Sequence, residues 1–387
     1  MTSQQTRRPL PARTADVPQQ SAAVPGPARP GVAEHLALVD ALLTDSVADL
    51  TQLWADLPDD EHGDLDILGA SDLPLFIDAL LSTGGKRFRP VMCYLGWLSG
   101  GGRTRDTGHR DVVTVGAALE LLHLFALVHD DVMDESASRR GRPTVHVQAR
   151  ELHRTRGGIG SADRFGESIA ILVGDLAHAE AGHLVADLPR PMRVQWRVLV
   201  AELVAGQRRD LVGTAAGRRD LSFARTVARM KSGRYTIERP LELGAAAARA
   251  GTAVTVALAR YGKAMGEAFA LRDDLLGVWG DPARTGKPSG DDLITGKPTV
   301  ILSLAHDRLR GTAARGALGR IGTAEFDGAD LDVLQQQLET DGVAAEVEQM
   351  ISDNVQVALS ALEEAPLDPA GVAELTRMAQ QIAWRDQ

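Results

Sequence analysis

Two aspartate-rich segments lie far apart in the chain, each at the end of an apolar helical stretch. The first reads HDDVMD over residues 129–134 and the second reads RDDLLG over residues 272–277. Because an α-helix advances about 100° per residue, carboxylates at positions i, i+1 and i+4 lie on one helix face. Grouped carboxylates require a neutralising cation, and oxygen ligands suit Mg²⁺, which shares its coordination sphere with phosphate. Two such segments on facing helices predict an enzyme that acts on diphosphates.

A single acidic segment of this kind is more often a solvated helix face. The residues that precede the first segment argue for a buried helix instead, because they are apolar at helical spacing: Leu121, Leu124, Phe125, Leu127 and Val128. His123 lies seven positions before Asp130, so it shares a face with Asp130 and Asp134 within roughly 40°. The sequence leaves open whether His123 is a satisfied core residue or faces the substrate.

Basic residues recur around these segments. The heptapeptide GGKRFRP at residues 84–90 places three cations beside two glycines at a predicted helix start, where glycine, helix N-terminus and arginine all favour phosphate. Further basic or hydroxyl groups follow at Arg139, Arg140, Arg142, Lys231, Ser232, Lys287 and Lys297. Each group alone is equally consistent with a solvated turn or with surface ion pairs. Their joint occurrence favours diphosphate binding.

The pattern of apolar residues predicts an all-α protein. Hydrophobic residues make up 44% of the 387 residues, aromatic residues only 4%, and strand-like alternation is scarce. We expect a disordered tail over residues 1–30, rich in Pro, Ala, Gln and Arg, and one domain over residues 31–387. That domain should be a many-helix bundle around a central apolar cavity. Helices are predicted from about 31 and at about 72–84, 88–100, 110–134, 164–187, 191–213, 219–232, 234–250, 253–279, 297–309, 342–363 and 370–384.

Composition narrows the functional class. The net charge of −10 disfavours general nucleic-acid binding, and a single cysteine, Cys93, precludes an intrachain disulfide. No apolar run reaches the roughly 18 residues that a transmembrane helix needs. Arg7 and Arg8 are not followed by the hydrophobic region of an export signal. These features predict a soluble, cytoplasmic protein with no transmembrane segment and no nucleic-acid partner.

The motifs in chain order resemble those of the trans-isoprenyl diphosphate synthases, the polyprenyl synthetase family. They are GGKRFRP, LHLFALVHDDVMDESASRRGRPT, GDLAHA, GQRRDL, KSG, RDDLLG, GKP and GKPT, within a match from about residue 32 to the C-terminus. The resemblance implies an all-α prenyltransferase, usually a homodimer, that surrounds a deep apolar cavity. It implies head-to-tail condensation of isopentenyl diphosphate with an allylic diphosphate: dimethylallyl, geranyl or farnesyl diphosphate.

The resemblance also implies roles for individual residues. The isopentenyl diphosphate site corresponds to Lys86, Arg89, His123 and Arg140. The allylic diphosphate ligands correspond to Arg139, Lys231, Ser232 and Lys287, and Lys297 is a further substrate-binding residue. Asp130, Asp134 and Asp273 correspond to ligands of Mg²⁺, with three ions expected in each active site, and Asp131 and Asp274 complete the two catalytic segments. Gln207 and Asp210 belong to a further motif near the cavity.

The second segment departs from the family pattern in two places. Gly277 stands where many relatives have a third aspartate, and Ala270 stands where they usually have a glutamine that contacts the allylic diphosphate. Both positions share a helix face with Asp274. Asp281, four residues beyond Gly277, is a candidate source of the missing carboxylate. The third metal site is therefore the part of the resemblance that the sequence leaves in question.

Product length is predicted by the residues before the first segment. Phe125 lies five positions before Asp130, roughly 7 Å deeper along the helix, and small Ala126 follows it. By analogy this favours geranylgeranyl diphosphate, with farnesyl or longer polyprenyl products as alternatives; ordinary core packing would also explain Phe125. Two other functions stay open: a terpene cyclase, which the isopentenyl site argues against, and a non-catalytic partner subunit, which the altered second segment would suit.

Overall fold

Long helices with buried apolar faces dominate the computed structural model, which describes residues 29–57, 67–69, 72–103, 106–139, 141–281 and 289–385. The helices are α1 (Val32–Ala55), α2 (Leu73–Ser82), α3 (Phe88–Ser99), α4 (Thr107–Met133), α5 (Val145–Thr155), α6 (Ala162–Val185), α7 (Arg190–Ala215), α8 (Leu221–Ala228), a π-helix (Arg229–Glu238), α9 (Arg239–Ala247), α10 (Thr252–Trp279), α11 (Asp291–Ile294), α12 (Val300–Arg308), α13 (Thr312–Arg320), α14 (Gly328–Thr340), α15 (Val343–Glu363) and α16 (Pro369–Ala383). In these ranges the strands are confined to one antiparallel ribbon, β1 (Ser138–Arg139) with β2 (Arg142–Pro143). The predicted all-α class is confirmed.

Helices α4 and α10 organise one continuous hydrophobic core. Helix α4 packs against α1, α3, α6 and α9, while α10 packs against the π-helix, α9, α15 and α16. Each of the two long helices carries an aspartate-rich segment near its C-terminal end. The fold thereby brings two segments that are about 140 residues apart in sequence to opposite sides of one cavity.

The π-helix is held in place by close backbone contacts at glycines. A Cβ atom on Gly206 of α7 would lie 2.7 Å from the backbone nitrogen of Lys231. A Cβ atom on Gly233 would lie 2.5 Å from the carbonyl oxygen of Gly266 in α10. Any larger side chain at either position would force the helices apart, so these glycines allow α7 and α10 to approach the π-helix from two sides. Their combined effect is to fix the position of Lys231.

Most predicted helices are confirmed to within a few residues, but several elements differ. The predicted interruption at residue 233 is wrong, because α8, the π-helix and α9 run without a break from Leu221 to Ala247. Helices α5, α11, α13 and α14 were not predicted. Residues 1–28 of the predicted tail lie outside the described residues.

Helix α4 is, in the described part of the chain, the one helix long and apolar enough to span a membrane. Within that apolar stretch 61% of the residues are buried by the rest of the protein. Its apolar character is accounted for by its central place in the core.

Candidate active site

The first aspartate-rich segment is neutralised by cations from other helices. Asp130 accepts hydrogen bonds from the Nζ atom of Lys231 and from the Nε2 atom of Gln207, both at 2.9 Å. Lys231 also donates to Asp210 at 2.7 Å. Asp134 accepts a bond of 2.6 Å from the Nζ atom of Lys297. The predicted grouping of these side chains around the end of α4 is present in the structure.

These contacts decide the ionisation of the first segment. Burial by itself would raise the pKa of Asp130, but the Lys231 and Lys297 cations outweigh it and lower that pKa to about 2. For Lys231, burial favours the neutral amine, yet the Asp130 and Asp210 carboxylates raise its pKa above the usual value. Both partners therefore carry full charge at neutral pH, and both line the cavity.

Asp131 has an arginine as its cationic partner. Arg139, on strand β1, donates two hydrogen bonds to Oδ1 of Asp131, from Nε at 2.9 Å and from Nη2 at 2.7 Å. The ribbon that follows α4 is thus tied back to the first segment by a two-pronged ion pair. The predicted ligand Arg139 lines the cavity while held in this orientation.

The second segment, at the end of α10, has different surroundings. Asp273 is half-exposed and pairs with Arg385, whose guanidinium also lies 4.1 Å from the ring centroid of Phe269. Asp274 accepts a hydrogen bond of 3.0 Å from the backbone N–H of Val300, at the start of α12. Burial, and then the negative charge of Asp292, raise the pKa of Asp274 well above its usual range. The neutral form of Asp274 is thereby favoured, while Asp273 has Arg385 as its cationic partner.

The residues from Gly84 to Arg89 form a basic rim at the N-terminus of α3. Arg89 donates to the hydroxyl of Thr236 at 3.0 Å and stacks on Tyr235, with its Cζ atom 4.1 Å from the ring centroid. Arg87 instead turns inward to Glu120 and Asp40, at 2.5 and 3.0 Å, and so joins α3 to α4 and α1. Lys86 and Arg89 line the cavity, and Arg87 also ties α3 to α1 and α4.

One cavity of about 1550 Å³ connects all of these groups. Its polar mouth is formed by the two aspartate-rich segments and the basic rim, and its interior by apolar side chains of α4, α7 and α8. Phe125 lies in the wall and is packed against the rings of His129 and His178, with ring centroids 4.7 and 4.9 Å apart. A polar mouth above an apolar interior suits a molecule with a charged head and a hydrocarbon tail.

The structure brings most of the predicted site residues to this cavity. Those that line it are Lys86, Arg89, His123, Phe125, Ala126, Asp130, Asp131, Arg139, Gln207, Asp210, Lys231, Ser232, Asp273, Asp274 and Lys297. Asp134 joins them through its bond to Lys297. Arg140 and Lys287 lie outside the described residues. Ala270 is buried and does not line the cavity.

Three residues at the cavity were missed from the sequence. Asp292, in α11, lies beside Gly277, whereas the candidate replacement Asp281 does not line the cavity. Arg385 reaches Asp273 from beyond the last helix, and Tyr235 forms the platform beneath Arg89. The doublet Asp291–Asp292 after a glycine-rich stretch was the available signal for the first of these; the other two contacts depend on tertiary structure.

The donor chemistry of the site fits Mg²⁺ bound together with a diphosphate. In the described part of the chain no three His, Cys, Asp or Glu side chains are close enough to hold a metal ion by themselves. The carboxylates of Asp130 and Asp273 nevertheless line one cavity, and Asp134 is joined to it through Lys297. Such a partial set of oxygen ligands suits Mg²⁺, which completes its sphere with water and phosphate.

Comparison with known proteins agrees with this chemistry. The family described as polyprenyl synthetase matches residues 72–327. A geranylgeranyl diphosphate synthase of Mycobacterium tuberculosis is 31% identical over 313 residues, which cover 79% of this chain and 81% of that protein. A geranylfarnesyl diphosphate synthase of Aeropyrum pernix is 33% identical over 236 residues, 58% of this chain and 68% of that protein.

Solved structures give the same result. The geranylgeranyl pyrophosphate synthase of Corynebacterium glutamicum, complexed with isoprenyl diphosphate and magnesium, superimposes with a TM-score of 0.83 at 33% identity. The alignment covers 92% of this chain and 99% of that one. A decaprenyl diphosphate synthase of Rhodobacter capsulatus has a TM-score of 0.73 at 25% identity, covering 92% and 97%. These similar proteins differ in the length of the prenyl chain in their names.

Proposed function

The chain belongs to the polyprenyl synthetase family, and we propose that within this family of prenyltransferases it is a geranylgeranyl diphosphate synthase. It condenses isopentenyl diphosphate head to tail with dimethylallyl, geranyl and farnesyl diphosphate in turn. The observation that carries the proposal is the single cavity in which two aspartate-rich segments and a basic rim lie above an apolar interior. The similarity to geranylgeranyl diphosphate synthases supports the twenty-carbon product.

The two diphosphates have separate sets of ligands in this proposal. Lys86, Arg89 and His123, with Arg140, bind isopentenyl diphosphate at the N-terminus of α3, where helix and side chains both favour an anion. The allylic diphosphate is bound by Arg139, Lys231, Ser232, Lys287 and Lys297. Lys231 and Lys297 are already held at the first segment by Asp130 and Asp134. They are thus oriented before the substrate arrives, which lowers the entropy cost of binding.

Magnesium would be held by Asp130 and Asp134 on one side and by Asp273 on the other, with three ions in each active site. When bound, Mg²⁺ stabilises the negative charge that develops on the departing diphosphate. The lysines and arginines do the same through fixed positive charge in a site of low polarity. The allylic carbon–oxygen bond breaks, the isopentenyl double bond attacks the allylic cation, and a proton leaves to the departing diphosphate.

The apolar part of the cavity shields the allylic cation from water and limits the length of the product. Side chains such as Leu203, Val227 and Phe269 line the interior and exclude water that would otherwise quench the allylic cation. Phe125, braced by His129 and His178, limits how far the growing chain extends.

A product assay tests the proposal. Purified protein receives Mg²⁺, labelled isopentenyl diphosphate and each allylic diphosphate separately, and the dephosphorylated products are sized by mass spectrometry. A twenty-carbon alcohol is the expected result, and Phe125→Ala should lengthen it by one or more five-carbon units. Phe165→Ala is the matched control, because Phe165 packs on His153 and does not line the cavity.

Other outcomes would redirect the proposal. A fifteen-carbon product or one much longer than twenty carbons would keep the condensation and replace the product. Hydrocarbon formed from a prenyl diphosphate alone would indicate a terpene cyclase. An absence of condensation would indicate a partner subunit that needs a second chain.

We propose further that the enzyme is a cytoplasmic homodimer. Helices α6 and α7 carry exposed apolar side chains that suit a subunit interface, among them Ile171, Leu172, Val194 and Val198. Light scattering coupled to size-exclusion chromatography should give a mass of about twice 41.2 kDa. A monomeric mass at micromolar concentration would contradict this assembly.

A further inference from the structure

A second, smaller cavity of about 300 Å³ lies between α8, the π-helix and α10. Within the described ranges its lining shares no residue with the active-site cavity. On the π-helix the active-site cavity is lined by residues 231, 232, 235 and 236, whereas the second cavity is lined by residues 229, 230 and 234. The two cavities therefore lie on different faces of one helix, and the second is a separate candidate binding site.

The lining of this second cavity is predominantly cationic. Four of its residues carry a positive charge at neutral pH and one carries a negative charge: Arg225 of α8, Arg229 and Arg234 of the π-helix, and Lys263 and Glu267 of α10. The protein as a whole has a net charge of −10, so this excess of cations is a local feature. A concave surface lined by one sign of charge attracts small ions of the opposite sign.

Ion pairs within the protein use only part of this positive charge. Arg225 donates to Glu267 at 2.7 Å, which accounts for the one carboxylate of the lining. Arg229 and Arg234 share the buried Glu238, at 3.3 and 3.4 Å. One carboxylate between two guanidinium groups leaves a net positive charge on the π-helix face of the cavity.

Two of the lining side chains also keep unused donors. Lys263 is exposed on α10 and has no carboxylate partner within 4 Å among the described residues. Arg229 donates hydrogen bonds only from its Nη2 atom in the same part of the chain, although a guanidinium has five N–H groups. Its Nη1 group stays accessible to solvent, because only the Nε atom is both buried and without a partner. The cavity thus offers charged donors that an external acceptor can use.

We propose that this cavity is an anion site for a small molecule that bears two phosphate groups, such as inorganic diphosphate. Arginine and lysine are the residues that bind phosphate oxygens through charge-assisted hydrogen bonds. The cations come from three helices, so an anion with two phosphate groups reaches more of them than a single phosphate does. A cavity of this volume admits a small molecule and excludes a folded segment of a protein partner. The site goes beyond the proposed function, because the condensation does not use it.

An anion in this site would act on the π-helix from outside the active site. It would join the π-helix to α8 and α10 through their cations, next to the close contact between Gly233 and Gly266. The same helix presents Lys231 to Asp130 on its other face. Because a ligand stabilises the state that binds it, saturating diphosphate should raise the melting temperature of the metal-free protein.

Isothermal titration calorimetry tests the site. Inorganic diphosphate is titrated into the full-length protein in EDTA, so that no metal complex assembles in the active site. Arg225→Gln and Lys263→Gln should each weaken binding by about tenfold, since each removes one charged donor. Arg260→Gln is the matched control: Arg260 is also exposed on α10, pairs with Glu364 and lines neither cavity, so this variant should bind as the wild type does.

Two further measurements sharpen the assignment. Lys263→Glu reverses an exposed charge without loss of an ion pair, so it should fold normally and bind diphosphate at least about 100-fold more weakly. Circular dichroism and the melting temperature establish that each variant is folded. Inorganic phosphate is the second probe and should bind the wild type at least about tenfold more weakly than diphosphate. Equal affinities would overturn the assignment to a molecule with two phosphate groups.

The result that would overturn the site is also specific. Wild-type binding that is unchanged in folded Arg225→Gln, Lys263→Gln and Lys263→Glu would exclude an anion from the second cavity, as would the absence of any binding to the wild type. Binding that is lost in Lys86→Gln alone would place the anion in the active site instead. Each of these failures leaves the proposed function intact, because the residues of the second cavity take no part in it.

Discussion

The two aspartate-rich segments have similar sequences and opposite electrostatic surroundings. In the first, Asp130 and Asp134 each accept a hydrogen bond from a lysine, at 2.9 and 2.6 Å. In the second, Asp273 is half-exposed beside Arg385, and Asp274 accepts a hydrogen bond from a backbone N–H and has Asp292 as a like-charged neighbour. The carboxylates of the first segment are paired with lysines of the protein, whereas in the second segment burial and the charge of Asp292 oppose the ionisation of Asp274.

Because of this difference, the two segments should respond differently to an entering metal ion. At the first segment, a metal ion can replace the lysine that bridges the carboxylates, and the lysine can then bind a substrate phosphate. The carboxylates therefore keep a cationic partner throughout binding. At the second segment the entering metal relieves repulsion between carboxylates instead. Metal binding should therefore stabilise the second segment more than the first, and four experiments can break or sharpen this contrast.

The largest effect is expected for Asp130→Ala. This change removes a metal ligand and leaves the buried Lys231 with Asp210 alone, so charge is lost from both the metal site and the allylic diphosphate site. Turnover should fall below detection, by at least about 10⁴-fold. Steady-state rates with farnesyl diphosphate measure it, and a rate within tenfold of the wild type would remove Asp130 from the metal site.

Asp273→Ala should have the next largest effect. Its carboxylate is half-exposed and its loss disturbs no lysine pair, so the consequence is confined to the second segment. We expect kcat to fall by about 10³-fold, which corresponds to roughly 4 kcal/mol of transition-state stabilisation. The same assay with Mg²⁺ raised in steps checks it. A loss equal to that of Asp130→Ala would contradict the contrast between the segments.

Replacement of the cationic partner of each segment by glutamine distinguishes the two segments further. Lys231→Gln should lower kcat by about 100-fold, because a buried cation aimed at the diphosphate is lost. Arg385→Gln should instead lower the Mg²⁺ concentration for half-maximal rate by up to about fivefold, since it frees a half-exposed carboxylate from a weak pair. The measurement is the Mg²⁺ dependence of the rate. A large loss of kcat in Arg385→Gln would assign that arginine a direct role in substrate binding.

The smallest effect concerns the thermal stability of the metal-free protein. It should have opposite signs for variants of Asp130 and of Asp274. The pKa of Asp130 is lowered to about 2, so its ionised form stabilises the fold above about pH 4 and that contribution is lost as the pH falls toward 2. The pKa of Asp274 is raised, so its ionisation opposes folding, and the penalty grows as the pH rises from about 4. In EDTA at pH 7, Asp130→Asn should lower the melting temperature by about 4 °C.

Asp274→Asn should raise the melting temperature under the same conditions, because the amide oxygen still accepts from Val300 while the repulsive charge is gone. The gain should shrink at pH 4 and on addition of Mg²⁺. Differential scanning calorimetry at the two pH values provides the comparison. Shifts of the same sign in both variants would show that the segments do not differ in the way described.

How well the sequence predicted each feature depends on how far apart in the chain the interacting residues lie. Helical spacing placed His123, Asp130 and Asp134 together because the first two lie on α4 and Asp134 directly follows its last residue. The all-α class followed from the same periodicity. The position of Asp292 was missed because a turn through Gly290, rather than spacing along a helix, delivers it to Gly277. Roles carried over from the family resemblance, including those of Arg140 and Lys287, stay predictions.

The break predicted at Gly233 shows a second limit. A glycine after Lys231 and Ser232 is locally typical of a helix end. The helix continues because Gly233 packs on Gly266 of α10, a contact between residues more than thirty positions apart. Helices α13 and α14 were missed for a related reason, since their few buried side chains give only a weak apolar pattern.

The π-helix has a consequence for how related sequences are aligned. Its backbone bonds join residues five apart, one more than in an α-helix, so this segment holds an additional residue compared with an α-helix. Deletion of one residue between Arg229 and Glu238 would restore α-helical pairing and rotate the residues on one side of the deletion by about 100°. Lys231 would then point away from Asp130 while α8 and α9 kept their form. A one-residue gap in this segment therefore separates proteins with different active-site geometry, whereas the same gap in the turn at 216–220 alters only a connection between helices.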